Sequence, residues 1–373
     1  MSSKSVCLNM IVKDESKIIC RCLSSVKNLI DYWVIVDTGS SDGTQDVISE
    51  YISDIPGELH ERKWVNFEHN RNEALDLARN KSDYILFMDA DDMIEYSNSF
   101  DKSALDKDCY FMLCRDPVVD SYRLKLINNH SGWKWTGILH EDLTNSQPVN
   151  GQVLSGIEMN GLSRDGRRAQ DPKRYLKDAL ILEKIHREHP KDSRTVFYLA
   201  QSYLKANETF LALKYNELRA SMGGYEDEIF WSLYTVACLR EDLNCGSEEI
   251  INSYLKAFQF NGSRAEPLYK LSRYLIKIGK YSMGYEMAKK AVSIPFPKTL
   301  FFVQRDVYEY ESLLFLSYSQ HLLKLFDEAT SSYQQLLAKK NLPESERKTV
   351  EQFLQLSQRK QCIKVVGSCQ TIN

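Results

Sequence analysis

Hydrophobic positions through residues 1 to about 160 switch repeatedly between short continuous runs and helical periodicity. Val6 to Val12 is an apolar run expected as a first buried strand, and Ser16 to Asn28 places Ile18, Ile19, Cys22, Leu23 and Val26 on one helical face. Tyr32 to Asp37 is a second continuous apolar run, as in a sheet covered on both sides. A turn-rich stretch from Asp37 leads into helical periodicity between Thr44 and Asp54. Glu58 to Trp64 reads as a third strand, His69 to Asn80 as a helix and Asp83 to Met88 as a fourth strand. This order predicts an α/β domain over residues 1–160 with a mainly parallel sheet, whose ligands lie beyond the C-terminal ends of the strands. Strand-like runs return between Cys109 and Asn128.

Residues 161–174 are polar and basic and read as a linker or lid, with Arg164, Arg167, Arg168, Lys173 and Arg174. From Tyr175 to the end only helical periodicity remains. Small residues recur at Ala200, Ala237 and Ser272, and the first and last of these span about two periods of the ~34-residue tetratricopeptide repeat. Ser272 is followed by Gly284, Ala288 and Ala291 at the same offsets as Ser317 by Ala329, Tyr333 and Leu336. Small side chains there let paired helices approach closely, so residues 175–373 are expected to form an all-α stack of tetratricopeptide-like pairs or, failing that, an irregular bundle. A terminal repeat is either capped or pairs with another copy, which leaves a homodimer through the repeats open.

Composition narrows the class. The chain has 373 residues, 43% hydrophobic and 27% charged, with a net charge of -3, so nothing global argues for nucleic acid or an anionic membrane. No run reaches the ~18 apolar residues of a membrane span, and the N-terminal run lacks the flanks of a signal peptide. Nine cysteines without Cys-x-x-Cys spacing fit reduced thiols and a cytoplasmic location.

The fourth strand ends in Asp89-Ala90-Asp91-Asp92. Were the extended geometry to persist, Asp89 and Asp91 would point to the same side, with Asp92 on the following turn. Carboxylates so close repel by roughly 4 kcal/mol at ~4 Å, so one takes up a proton or a cation sits between them. A hard divalent ion, Mn²⁺ or Mg²⁺, leaves coordination positions for a phosphate. The alternative is that these acids cap a turn. A dinucleotide oxidoreductase would want glycines after the first strand, where this chain has Lys13-Asp14-Glu15. An aspartate-nucleophile phosphatase would carry its acids on an early strand.

Five segments in order, Ile11 to Glu15, Val36 to Thr44, Asn70 to Leu75, Leu86 to Asp92 and His140-Glu141, resemble a family 2 glycosyltransferase with the GT-A fold. The pairing with helical repeats is similar to the branch that attaches sugars to cysteine in glycocin peptides. The resemblance implies an inverting transfer of a hexose or N-acetylhexosamine from a nucleotide diphosphate sugar, commonly a UDP-sugar. The acceptor would be a peptide, protein or glycan held by the repeats. Asp89 and Asp91, with His140, would be metal residues. Glu141 would be the base, with His140 able to exchange roles. Glu15, Asp37, Thr38, Asp42, Arg71, Asn72, Asp89 and Arg168 would lie at the donor, Thr38 standing where many relatives have a second Asp.

Local readings compete at several of these positions. Asp37 fits an Asx-turn and Asp42 a helix cap. Arg71, near a helix N-terminus where a cation is unfavourable, needs an anionic partner, either the donor or Glu68 or Glu73. Glu15 suits a helix N-terminus, Asn72 the support of its own loop, and Trp133 and Trp135 either sugar stacking or core packing. A repeat scaffold with a catalytically silent nucleotide-sugar domain is the competing function.

Overall fold

The computed structural model describes residues 3–97, 100–130, 132–160 and 165–369. Two compact units are present, residues 1–184 with 300–302, and residues 185–299 with 303–373. No described helix is long and apolar enough to cross a membrane.

The first unit begins with β1 (Val6–Val12), α1 (Ile19–Val26), β2 (Tyr32–Asp37), α2 (Thr44–Tyr51), β3 (Gly57–Glu61), α3 (Phe67–Leu77) and β4 (Tyr84–Phe87). It continues through β5 (Met93–Tyr96), β6 (Cys109–Arg115), β7 (Ser121–Asn128), β8 (Trp133–Thr136), β9 (Asp142–Asn145) and β10 (Gly151–Asn160). Eight strands form one sheet in the order β3-β2-β1-β4-β7-β6-β10-β5, and β8 and β9 form a separate hairpin. Neighbours β3, β2, β1 and β4 are parallel, as the alternating pattern predicts. Antiparallel β7 and β5 make the other half mixed.

Strand β1 has β2 on one side and β4 on the other, so the chain reverses its direction of winding there. At such a switch point the crevice beyond the strand ends is open to a ligand. One face of the sheet buries Leu8, Met10, Ile35 and Leu86 with Ile19, Leu23 and Ile48 of the helices. The other buries Cys7, Val34, Ile85 and Phe87 with Leu75, Trp133 and Trp135. Both tryptophans are therefore core residues rather than stacking surfaces for sugar; the Trp133 indole N–H is spent on Asn128 Oδ1 at 2.9 Å.

Several element boundaries differ from expectation: α1 spans Ile19 to Val26 rather than Ser16 to Asn28, α2 ends at Tyr51 rather than Asp54, and α3 ends at Leu77 rather than Asn80. The third strand stops at Glu61 rather than Trp64. Helix α3 starts two residues before His69, because the Asn66 side chain accepts the His69 N–H at 2.8 Å and caps it. The first unit also runs past 160: Arg21 holds Asp165 through two bonds of 3.0 and 2.8 Å, which ties the basic segment to α1. Arg164 lies outside the described residues.

The second unit is all helix. It contains α5 (Ser193–Lys205), α6 (Thr209–Ser221), α7 (Glu226–Asp242), α8 (Ser247–Phe260), α9 (Glu266–Lys277), α10 (Tyr281–Val292), α11 (Ser312–Leu322), α12 (Phe326–Leu337) and α13 (Glu344–Cys369); α4 (Arg174–Glu188) precedes them across the unit boundary. Each helix from α5 packs on the next, and α7 also meets α9, and α9 meets α11. That two-layer pattern is a tetratricopeptide-like array. Its positions at the matched offsets, small and large alike, behave as predicted. Ser272, Ala288, Ala291, Ser317, Ala329, Tyr333 and Leu336 are all buried. Ser272 Oγ donates to Gly284 C=O at 2.8 Å, and a Cβ on Gly284 would stand 2.8 Å from Ile276 Cγ1 and 3.2 Å from Ser272 O. Gly284→Val is therefore expected to lower stability by about 1–3 kcal/mol through overpacking, read as a shift in the denaturation midpoint.

Candidate active site

Three acids, one arginine and one lysine meet at the C-terminal end of β4. The strand stops at Phe87, and the Asp92 N–H donates to Asp89 C=O at 3.0 Å, closing a turn. Extended geometry does not persist, so alternation does not decide where Asp89 and Asp91 point. Asp89 Oδ1 accepts from Arg71 Nη2 at 2.7 Å. Asp92 is taken by Lys125, whose Nζ lies 3.0 Å from Oδ2, and that same oxygen accepts the Asp89 N–H at 3.1 Å.

These pairings divide the acids electrostatically. Burial raises the proton affinity of Asp89, but Arg71 and Lys125 outweigh it and hold the carboxyl well below the usual range. Burial, and then the charges of Asp89 and Asp92, push Asp91 up to about 6. Glu15 rises to about 7, mainly by burial, with Asp91 adding to the rise; Glu15 also accepts the Arg167 N–H at 3.2 and 3.1 Å. Asp91 lies against the 165–170 segment, since a Cβ on Gly166 would stand 3.2 Å from its Oδ2.

Arg71 joins the acids to the β8–β9 connection. Its Nε is 3.4 Å from Glu141 Oε2, and its guanidinium lies 5.0 Å from the Trp135 ring. The Arg71 and Glu141 side chains are only 12% and 11% exposed. Burial raises the Glu141 carboxyl, with Arg71 opposing. The anionic partners that the helix position of Arg71 required are thus Asp89 and Glu141, not Glu68 or Glu73.

The remaining expected residues separate. Asp37 Oδ1 accepts the Gly39 and Ser40 N–H groups at 2.8 Å each, a local turn, while its buried Oδ2 has no hydrogen-bond partner among the described residues. Thr38 is buried and spends its hydroxyl on Val12 C=O at 3.0 Å. Against the effect of burial, bonds from Thr44 and Ser16 hold Asp42 down to about 2, so it fastens two loops together. Arg168 pairs with Asp178 and lies over the Phe67 ring. Asn72 bonds the Trp135 backbone from both its amide atoms. His140 is exposed, with φ +54. Among the described residues no three His, Cys, Asp or Glu side chains gather as a metal-holding group.

None of the motifs points to Lys125. Its signal was there: a lysine amid Leu124, Leu126 and Ile127 in a strand-like run, where a buried charge needs a partner.

A family model, glycosyl transferase family 2, matches residues 7–98. The SPbeta prophage-derived glycosyltransferase SunS of Bacillus subtilis is 25% identical over 236 residues, covering 60% of this chain and 54% of that protein. The chain thus spans about half the length of the SunS relatives it matches. A TPR repeat-containing protein of Synechococcus elongatus is 38% identical over 92 residues, 25% of this chain and 21% of that one. A crystal structure of a thermophilic TPR protein of Thermus thermophilus is similar at a TM-score of 0.35 and 16% identity, over 48% of this chain and 91% of that one. Residues 7–98, the stretch that is similar to glycosyl transferase family 2, carry β2 to β4, most of β1 and the acids at the strand ends.

Proposed function

We propose that the chain transfers a sugar from a nucleotide diphosphate sugar, with a UDP-sugar as the expected donor, to a peptide, protein or glycan acceptor. The observation that carries this reading is Arg71 bridging Asp89 and Glu141 at the sheet's switch point, beside Asp91. Departure of the nucleotide builds negative charge on a diphosphate, and groups that meet that charge in the transition state accelerate transfer.

A hard divalent cation fits this donor set, because burial and two like charges leave Asp91 with a raised proton affinity that a cation would reverse. Asp91 and Asp89 would hold Mn²⁺ or Mg²⁺, together with the diphosphate, as one or two protein carboxylates commonly do for such ions. When bound, that ion supplies charge neutralisation at the departing phosphate. Asp37 Oδ2, buried and without a hydrogen-bond partner among the described residues, would accept from a hydroxyl or N–H of the nucleoside only where donor binding opens it. Glu141, with its raised proton affinity, takes the acceptor's proton as the new bond forms on the opposite side of the sugar, which inverts the anomeric centre. The described cysteines are free, which suits a reducing compartment and supports a cytoplasmic location.

A metal-free stability profile tests the cation site without turnover. Asp91 and Glu15 keep protons in the fold at pH values where unfolded carboxylates have lost them. The stability these two groups contribute without metal is therefore lost as pH rises from about 4 through about 7. Mn²⁺ is expected to raise the melting temperature more at about pH 8 than at about pH 5, since protons compete for the same oxygens. Equal shifts at both would contradict the assignment. For the reaction itself, a panel of nucleotide sugars is incubated with Mn²⁺ and candidate peptides or glycans, and the released diphosphate and the anomer formed are measured. Turnover of one donor with inversion is expected. No turnover by folded protein would favour the scaffold reading.

A further inference from the structure

Helix α3 carries Glu68, Arg71 and Asn72 at spacings that a helix brings to one side. All three reach the same connection, the segment from Trp135 to Glu141. Asn72 Nδ2 donates to Trp135 C=O at 2.8 Å, and the Trp135 N–H donates to Asn72 Oδ1 at 2.9 Å, the pattern of a strand pairing made by a side chain. The same Nδ2 donates to Glu68 C=O at 2.9 Å, so the amide is fixed from both sides. Glu68 Oε2 accepts the Gly137 N–H at 3.1 Å.

The segment needs such support. It joins the two strands of a hairpin that is no part of the eight-stranded sheet; Trp133, Trp135 and Leu143 anchor those strands in the core, but the connection itself is exposed at Gly137 and Ile138. Its backbone has φ +105 at Gly137 and φ +54 at His140, the latter unfavourable for a side chain with a Cβ. Glu141 follows directly and must be delivered to Arg71.

We infer that Glu68 and Asn72 are positioning residues for transfer, holding the Trp135–Glu141 connection from α3 so that the Glu141 carboxylate stays against Arg71. This role rests on the glycosyltransferase reading above. It assigns Asn72 to the base's support rather than to the donor, and it gives Glu68, half-buried on the first turn of α3, a task through its oxygen rather than its charge.

The test compares Glu68→Ala, Glu68→Gln and Asn72→Ala with the wild type in full-length protein. A positioning error of an ångström costs about 100-fold in rate. Glu68→Ala is expected to lose about that much kcat with donor KM and melting temperature near wild type. Glu68→Gln, which keeps an acceptor oxygen for Gly137 N–H, is expected to retain wild-type kcat. Amide hydrogen exchange across residues 137–141 is expected to quicken in Glu68→Ala and Asn72→Ala but not in Glu68→Gln. An unchanged kcat in Glu68→Ala, an equal loss in Glu68→Gln, or unchanged exchange in Glu68→Ala each overturns the inference while leaving the glycosyltransferase reading intact. Wild-type protein without turnover on any donor overturns that reading and this role together.

Discussion

Asp91→Asn is expected to abolish cation-dependent donor binding and to lower transfer by about 10²–10³-fold, the several kcal/mol that a metal contributes to a charged transition state. The reasoning is differential. Asp89 is met by Arg71 and Asp92 by Lys125, while burial and these two neighbours raise Asp91. Asparagine keeps the shape and removes that strained charge. The metal-free variant should therefore be at least as stable as wild type near neutral pH, even as it loses binding. Calorimetric titration and a melting curve on the same sample separate the two effects. A variant that binds donor and metal normally would move the cation elsewhere.

Arg71→Ala is expected to lose most activity and about 3 kcal/mol of stability. The guanidinium is nearly enclosed and bridges two carboxylates, at 2.7 Å from Asp89 and 3.4 Å from Glu141. Removing one partner of a buried pair costs roughly 3–5 kcal/mol; the lower end applies because the Asp89 side chain is 45% exposed and partly screened. Both acids would then bind protons more tightly, and a protonated Glu141 cannot serve as base. Arg71→Lys keeps the charge but lacks the planar fork and the contact on Trp135, so it should recover more stability than activity. Urea denaturation alongside turnover checks this. Loss of stability and activity in equal proportion in both variants would make Arg71 a structural residue only.

The order of elements up to β4 was legible because continuous apolar runs and helical faces are local properties. So were the small positions of the helical array, where Gly284 and Ser272 follow a repeat offset. Acids at the end of a strand were legible as a cluster, but not their division of labour. That depends on Arg71 and Lys125, which reach the same place from α3 and β7 only after folding. Asp42 and Thr38 have local partners in Ser16, Thr44 and Val12 that residue type alone does not reveal. The tryptophans are similar. Their apolar faces suited a sugar, yet β8 turns them under the sheet against Phe87 and Leu75. Glu68 gave no local sign, since its partner is a backbone N–H at Gly137, far along the chain.

The most direct measurement of the central claim is the heat of binding of a panel of UDP-sugars to the full chain, with and without Mn²⁺, in wild type and Asp91→Asn. Binding of a donor that needs the cation and disappears in the variant is the predicted result. Donor binding that is indifferent to both the cation and Asp91 would contradict the account.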